Sequence, residues 1–159
     1  MDKLLVPIDG SECSLHALDV AVTLAKSIGG EVIVCNVVDF GKVAALTGGE
    51  ATLLQGAYEQ QKDEGHYLLD EATKRIGGAV PSSQQLAEGA PIEQIHQLAE
   101  QLAPRFVVIG SHGRAGIQRM VLGSVAEGVA RGCCVPVLIV PAENEVHYHE
   151  KVRETSAAR

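Results

Sequence analysis

"VIGSHGRAGIQRMVLGS", residues 108–124, holds four glycines, two arginines and an adjacent Ser111–His112 pair. It follows the apolar run "RFVVIG" of residues 105–110 and leads into a helix-like stretch over residues 124–131. Glycine costs conformational entropy and is chosen where backbone must approach something closely or adopt a positive φ. Gly110 lets the strand end lie against a sugar or base, and Gly113 lets N–H groups face phosphate oxygens. Gly123 and Ser124 open a helix whose first N–H groups and dipole favour an anion. Ser124 also heads the tetrad Ser124-Val125-Ala126-Glu127, a capping box that needs no ligand. Both readings stand, because a cap uses one lone pair and leaves the hydroxyl proton free. The patterns G-x-x-x-x-G-K-[ST], G-x-G-x-x-G and G-x-S-x-G are all absent. His112 is therefore assigned to the loop rather than to catalysis.

Working outward, short apolar runs alternate with helical periods. Residues 3–8 ("KLLVPI") read as a buried strand ending at a turn, after which Ser11 caps a helix and Glu12 suits its first turn. Leu15, Leu18, Ala21, Val22, Ala25 and Ile28 recur at helical spacing until Gly29 and Gly30 stop the helix. Residues 31–38 ("EVIVCNVV") are a second buried strand. Residues 39–49 show no clear period and read as a loop. Residues 50–76 read as a long helix, with Leu54, Leu68, Leu69, Ala72 and Ile76 on its apolar side and Gly56 and Gly65 as weak points. Residues 82–89 suit a polar edge strand. Pro91 opens a helix over residues 92–102, and Pro104 closes it. Gly132 reads as the stop of the helix over residues 124–131. Residues 135–140 ("VPVLIV") are the last strand, and Pro136 assigns it to a sheet edge. Strands alternating with helices mean βαβ units and a parallel sheet with helices on both faces. Ligands in such sheets bind at the carboxyl ends of the strands where strand order reverses. The two prepared ends are Pro7-Ile8-Asp9-Gly10-Ser11 and Gly110-Ser111-His112-Gly113. Asp9 equally suits an Asx-turn with Gly10 and Ser11.

The chain has 159 residues, a formal charge of −7, 3% aromatic residues and no Trp. One domain is the default at that length. The acidity argues against a non-specific hold on nucleic acid or anionic membrane, and the few aromatics argue against a base-stacking platform. No apolar run approaches the ~20 residues that span a bilayer, and the expectation is a cytoplasmic protein without membrane insertion. Charge is nevertheless uneven. Residues 104–132 carry Arg105, Arg114, Arg119 and Arg131 against the single acid Glu127. A basic, glycine-rich segment in an acidic chain suits a small anionic ligand, although arginines on a solvated face would look the same. Cys13, Cys35, Cys133 and Cys134 show neither C-x-x-C nor zinc spacing. Free thiols follow, with Cys35 a small buried hydrophobe. His147 and His149, flanking Tyr148, are a weak metal signal on a polar tail. His16, His66 and His96 fall in helix patterns as surface or packing residues.

The spacing Gly110-x-x-Gly113, nine residues, Gly123-Ser124 resembles the nucleotide-binding signature of the universal stress protein family. "LLVPIDGSE" (residues 4–12), "GAPIEQI" (residues 89–95) and the whole of residues 110–140 are similar to that family's segments, so the resemblance spans nearly the entire chain. It implies a five-stranded parallel sheet in the order 3-2-1-4-5, flanked by helices, over residues 1–142, with residues 143–159 a polar tail. It also implies ATP binding, with Mg²⁺ or Mn²⁺ as the accompanying ion. Asp9, with Pro7 beside it, would lie near the ribose and the metal. Backbone at Val37 or Val38 would read the adenine edge. Gly110 and Gly113 would pack on ribose and phosphates, and Gly123, Ser124 and Val125 would hold the phosphate tail. Arg114 flanks the loop and either reaches phosphate or is solvated.

The resemblance further implies a homodimer through residues 135–140, or a tetramer built from it. The expected function is a nucleotide-dependent regulatory module of the stress response, not an enzyme, acting on an unidentified partner protein. A dimeric scaffold that binds no nucleotide, a weak ATP hydrolase, and AMP or a cyclic nucleotide in place of ATP are the alternatives.

Overall fold

The computed structural model describes residues 1–48, 50–113 and 122–142. Its elements run β1 (Lys3–Pro7), α1 (Glu12–Ile28), β2 (Glu31–Val38), α2 (Phe40–Thr47), α3 (Ala51–Ile76), β3 (Ser82–Glu88), α4 (Pro91–Leu102), β4 (Phe106–Gly110), α5 (Ser124–Gly132) and β5 (Val137–Val140). The five strands form one parallel sheet in the order β3-β2-β1-β4-β5, as the resemblance implies.

Consecutive strand residues point to opposite faces, and both faces of this sheet are covered. Leu4 and Val6 of β1, with Val32 and Val34 of β2, pack under α1 and α3 on one side. Leu5, Ile33, Cys35, Val107 and Ile109 pack under α4 and α5 on the other. That is why the central strands read as continuous apolar runs rather than alternating ones. β3 lies at an edge, with Ser82, Ser83 and Gln84 exposed. No helix among the described residues is long and apolar enough to cross a membrane.

Three local expectations are corrected. Residues 39–49, read as a loop, contain the helix α2. Asp39 caps it by accepting from the Lys42 N–H at 3.1 Å, Gly48 closes it at φ +61°, and Val43 alone is buried. A single buried side chain leaves too little period to see. Ser124 is not an N-cap. Gly123 is the cap, Ser124 is the first helical residue and makes no capping hydrogen bond, and Glu127 instead pairs with Arg131. Gly132 does not stop α5 by a left-handed turn, since the cap is Cys133 in extended conformation. A Cβ on Gly132 would lie 2.6 Å from His96 Cε1, and one on Gly128 would lie 2.4 Å from Ile92 Cδ1. These two glycines, one turn apart, let α5 pack tightly on α4. The two glycines expected to weaken α3 do not break it.

Candidate functional site

The sheet order reverses at β1, which has β2 on one side and β4 on the other. Both prepared strand ends therefore open into one crevice at the carboxyl edge. Its cavity has a volume of about 720 Å³, within the range of small-ligand sites.

The first wall is the turn from β1 to α1. Asp9 Oδ1 accepts from the Ser11 N–H at 3.0 Å and from Ser11 Oγ at 2.5 Å, while Gly10 takes φ +80°. Ser11 Oγ in turn accepts from the Ser14 N–H at 3.2 Å and caps α1. The Asx-turn is thus realised through Oδ1. It fixes the carboxylate so that Oδ2 faces Gly113, where an added Cβ would stand 2.7 Å away.

The second wall is the end of β4. The Ser111 N–H donates to Val140 O, and the Gly123 N–H donates to Ser111 O, both at 2.8 Å. That second bond closes the base of the loop between residues 111 and 123. Ser111 Oγ and His112 Nδ1 lie 3.0 Å apart, so the imidazole is engaged within its own loop. The glycines here answer to close approach. None of Gly110, Gly113 and Gly123 has a positive φ. A Cβ on Gly110 would meet the carbonyl carbon of Cys13 at 2.7 Å, and one on Gly123 would meet Ser111 O at 3.0 Å. Gly110 thus serves the packing of α1 on β4, and Gly113 leaves room for the carboxylate of Asp9.

The third wall is the start of α5. The first N–H groups of a helix have no intrahelical partner, and the first helical bond here runs from the Glu127 N–H to Gly123 O at 2.9 Å. Ser124, Val125 and Ala126 all line the cavity. The first turn of α5 and its positive helix end therefore border the cavity, an arrangement suited to an anion.

The fourth wall is the end of β2. The Glu31 N–H donates to Asp2 O and the Ile8 N–H to Cys35 O, so the odd-numbered backbone groups of β2 face β1. The Val32 N–H donates to Pro81 O and the Gly89 N–H to Val38 O, so the even-numbered groups face β3. By this alternation Val37 faces β1. The β1–β2 ladder, however, ends at Pro7 opposite Cys35. Among the described residues no backbone group pairs with the Val37 N–H or C=O. Of the two neighbouring positions, Val38 is committed to β3 and Val37 presents an open donor and acceptor to the crevice.

The site residues expected from the sequence thus converge. Pro7, Asp9, Val37, Val38, Gly110, Gly113, Gly123, Ser124 and Val125 all line the one cavity. Arg114 lies outside the described residues, as do Arg119, His147, His149 and the tail over residues 143–159. Sequence reading missed Asn36 of β2 and the α2–α3 side, where Asp39, Lys42, Gln61 and Glu64 add to the lining. Lys42 is placed there by α2, and the Asp39 cap was the available signal for it. The described wall holds the carboxylates of Asp9, Asp39 and Glu64 against one lysine. Glu88, at the end of β3, is bound by Tyr58 Oη and by Lys62 Nζ. These two bonds, Tyr58's first, hold its carboxyl below the usual range. This cluster does not line the cavity.

A crevice at the switch point of an all-parallel sheet with helices on both faces, rimmed by a helix N-terminus and an Asx-turn, defines a doubly wound α/β protein. The universal stress protein family model matches residues 1–141, and the chain belongs to that family. It is 34% identical over 140 residues to the universal stress protein MJ0531 of Methanocaldococcus jannaschii, covering 87% of this chain and 81% of that protein. It is 33% identical over 148 residues to the universal stress protein YxiE of Bacillus subtilis, covering 87% and 98%. Among solved structures, the fold is similar to that of MJ0577 of M. jannaschii, with a TM-score of 0.80, 25% identity and coverage of 90% and 97%. It is also similar to a universal stress protein in complex with cAMP, with a TM-score of 0.64, 26% identity and coverage of 89% and 98%.

Proposed function

We propose that this chain binds ATP, accompanied by Mg²⁺ or Mn²⁺, in the switch-point crevice and acts as a nucleotide-dependent regulatory module rather than as an enzyme. The observation that carries the reading is convergence. Four separated strand and helix ends bring nine signature positions onto one cavity, with an open main-chain donor and acceptor at Val37 on one side and a helix N-terminus on the other. The first suits the edge of a base, the second a phosphate chain. A relative of 26% identity in complex with cAMP supports an adenine nucleotide as the ligand class and makes the cyclic form the second reading.

The metal enters this reading only with the phosphates. No group of three or more His, Cys, Asp or Glu side chains is gathered for a metal among the described residues. Mg²⁺ is commonly held by one or two carboxylates plus phosphate oxygens and water, and Asp9 fits that role through Oδ2. The regulatory module includes a homodimer paired along the β5 edge, cytoplasmic in location, whose surface toward a partner protein changes with the nucleotide.

The test is a thermal melt of the purified protein with ATP and Mg²⁺, with AMP and with cAMP, beside nucleotide analysis of the heat-denatured protein and a phosphate-release assay. A ligand at ~100 times its Kd stabilises the native state by about 2.7 kcal/mol, a clear rise in Tm. A rise with ATP and no phosphate release is expected. A rise with cAMP alone supports the second reading, and no rise with any adenine nucleotide refutes both.

A further inference from the structure

The open backbone at Val37 needs a cause, because the ordinary outcome of two parallel strands side by side is one more rung. After the Ile8 N–H bonds Cys35 O, that rung would be the Val37 N–H donating to Ile8 O. It does not form. Ile8 O instead accepts from Asn36 Nδ2 at 2.7 Å, and beyond Ile8 the chain turns away through Asp9 and Gly10. Asn36 is seated by α3. Gly65 is buried against it, and a Cβ there would lie 2.7 Å from Asn36 Oδ1 and 2.7 Å from Leu86 Cδ1. Only a glycine at that point of the helix leaves the amide its place.

We infer that Asn36 is a positioning residue that holds the ligand slot open, taking the Ile8 carbonyl with its side-chain amide so that the main chain of Val37 stays unpaired for the ligand. The inference rests on the nucleotide reading for the identity of what Val37 meets, but not for the state of Val37 itself. Removal of the amide leaves Ile8 O without this partner, and by the parallel alternation the donor of the next rung is the Val37 N–H. The ladder then closes by one rung and the slot loses its donor. Asn36→Asp retains the shape without the donor, and its carboxylate repels the Ile8 carbonyl it replaces a bond to. Gly65→Ala displaces the same amide from the other side.

The test is residue-resolved amide hydrogen exchange by NMR on the full chain, with ATP and Mg²⁺ affinity measured in parallel. In the ligand-free parent, the Val37 amide should exchange roughly tenfold or more faster than Cys35, which lies in the ladder. In Asn36→Ala it should slow toward the Cys35 rate, while ATP affinity falls roughly tenfold, the scale of one hydrogen bond. A parent Val37 amide as protected as Cys35 overturns the inference, as does Asn36→Ala with both rates and affinity unchanged. If Asn36→Ala does not fold, Asn36→Asp and the parent comparison decide. If the parent binds no adenine nucleotide, the exchange rates still establish or refute the role of Asn36, and only the nucleotide reading falls.

Discussion

A methyl group on Gly113 would stand 2.7 Å from Asp9 Oδ2, so the carboxylate of one residue fills the space that a side chain on the other, 104 positions away in sequence, would need. Gly113 is exposed and has no positive φ. Gly113→Ala should therefore fold with little loss of stability and lose ligand-induced stabilisation, because the alanine pushes the carboxylate of Asp9 aside. Gly110→Ala should behave in the opposite way. Its Cβ meets the backbone of Cys13, which cannot yield as a side-chain tip can, so stability should fall by about 1–3 kcal/mol. Thermal melts of both variants with and without ATP and Mg²⁺ separate the two effects.

Two glycines in α3 should respond with opposite sign. Nothing lies within 4 Å of a Cβ on Gly56, whereas one on Gly65 strikes Asn36 and Leu86. Gly56→Ala should stabilise by about 0.5–1 kcal/mol through helix propensity and a less flexible unfolded chain. Gly65→Ala gains the same propensity but must displace an amide pinned to Ile8, and overpacking of about 1–3 kcal/mol outweighs the gain. Urea midpoints at unchanged slope would report both.

Burial pushes the Cys35 thiol from 9.0 up to about 12, because the apolar sheet face disfavours the thiolate. The unfolded chain loses this proton near pH 9 while the folded chain keeps it. The contribution to stability is therefore complete below pH 9 and is lost as pH rises through 12. The Tm of the parent should fall more steeply between those values than that of Cys35→Ala, which starts lower. In the native state below pH 9 a thiol reagent should label exposed Cys134 well before Cys35.

β5 is a sheet edge, and Leu138 on it is exposed. An apolar edge invites pairing with a second copy, and a charge placed there prevents it. Leu138→Asp should shift a dimer to monomer in sedimentation equilibrium without changing ligand-induced stabilisation. A parent that sediments as a monomer removes the dimer from the proposed function.

Much of this architecture was legible locally. The apolar runs at residues 3–8, 31–38 and 105–110 are near-continuous because both sheet faces are buried, and glycines and prolines between them mark helix starts and ends. The signature spacing located the crevice because each of its positions sits at a strand or helix end, where local pattern is strongest. α2 escaped because a short helix with one buried residue has almost no period, and only its caps, Asp39 and Gly48, announce it. Ser124 misled because a capping box is a pattern of four residues, whereas the true cap, Gly123, is set by its bond to Ser111.

The sequence by itself therefore determined the order of elements apart from α2, the parallel sheet and the strand ends that line the cavity, since each is written in hydrophobic period and backbone punctuation over a few residues. The tertiary structure decided what each glycine is for. Gly110 against Cys13, Gly113 against Asp9, Gly65 against Asn36 and Gly132 against His96 are contacts between segments 29 to 104 residues apart. A missing side chain carries no sign of the partner that needs the space, so only the folded chain, by bringing that partner within 3 Å, distinguishes a glycine that bends the backbone from one that admits a neighbour.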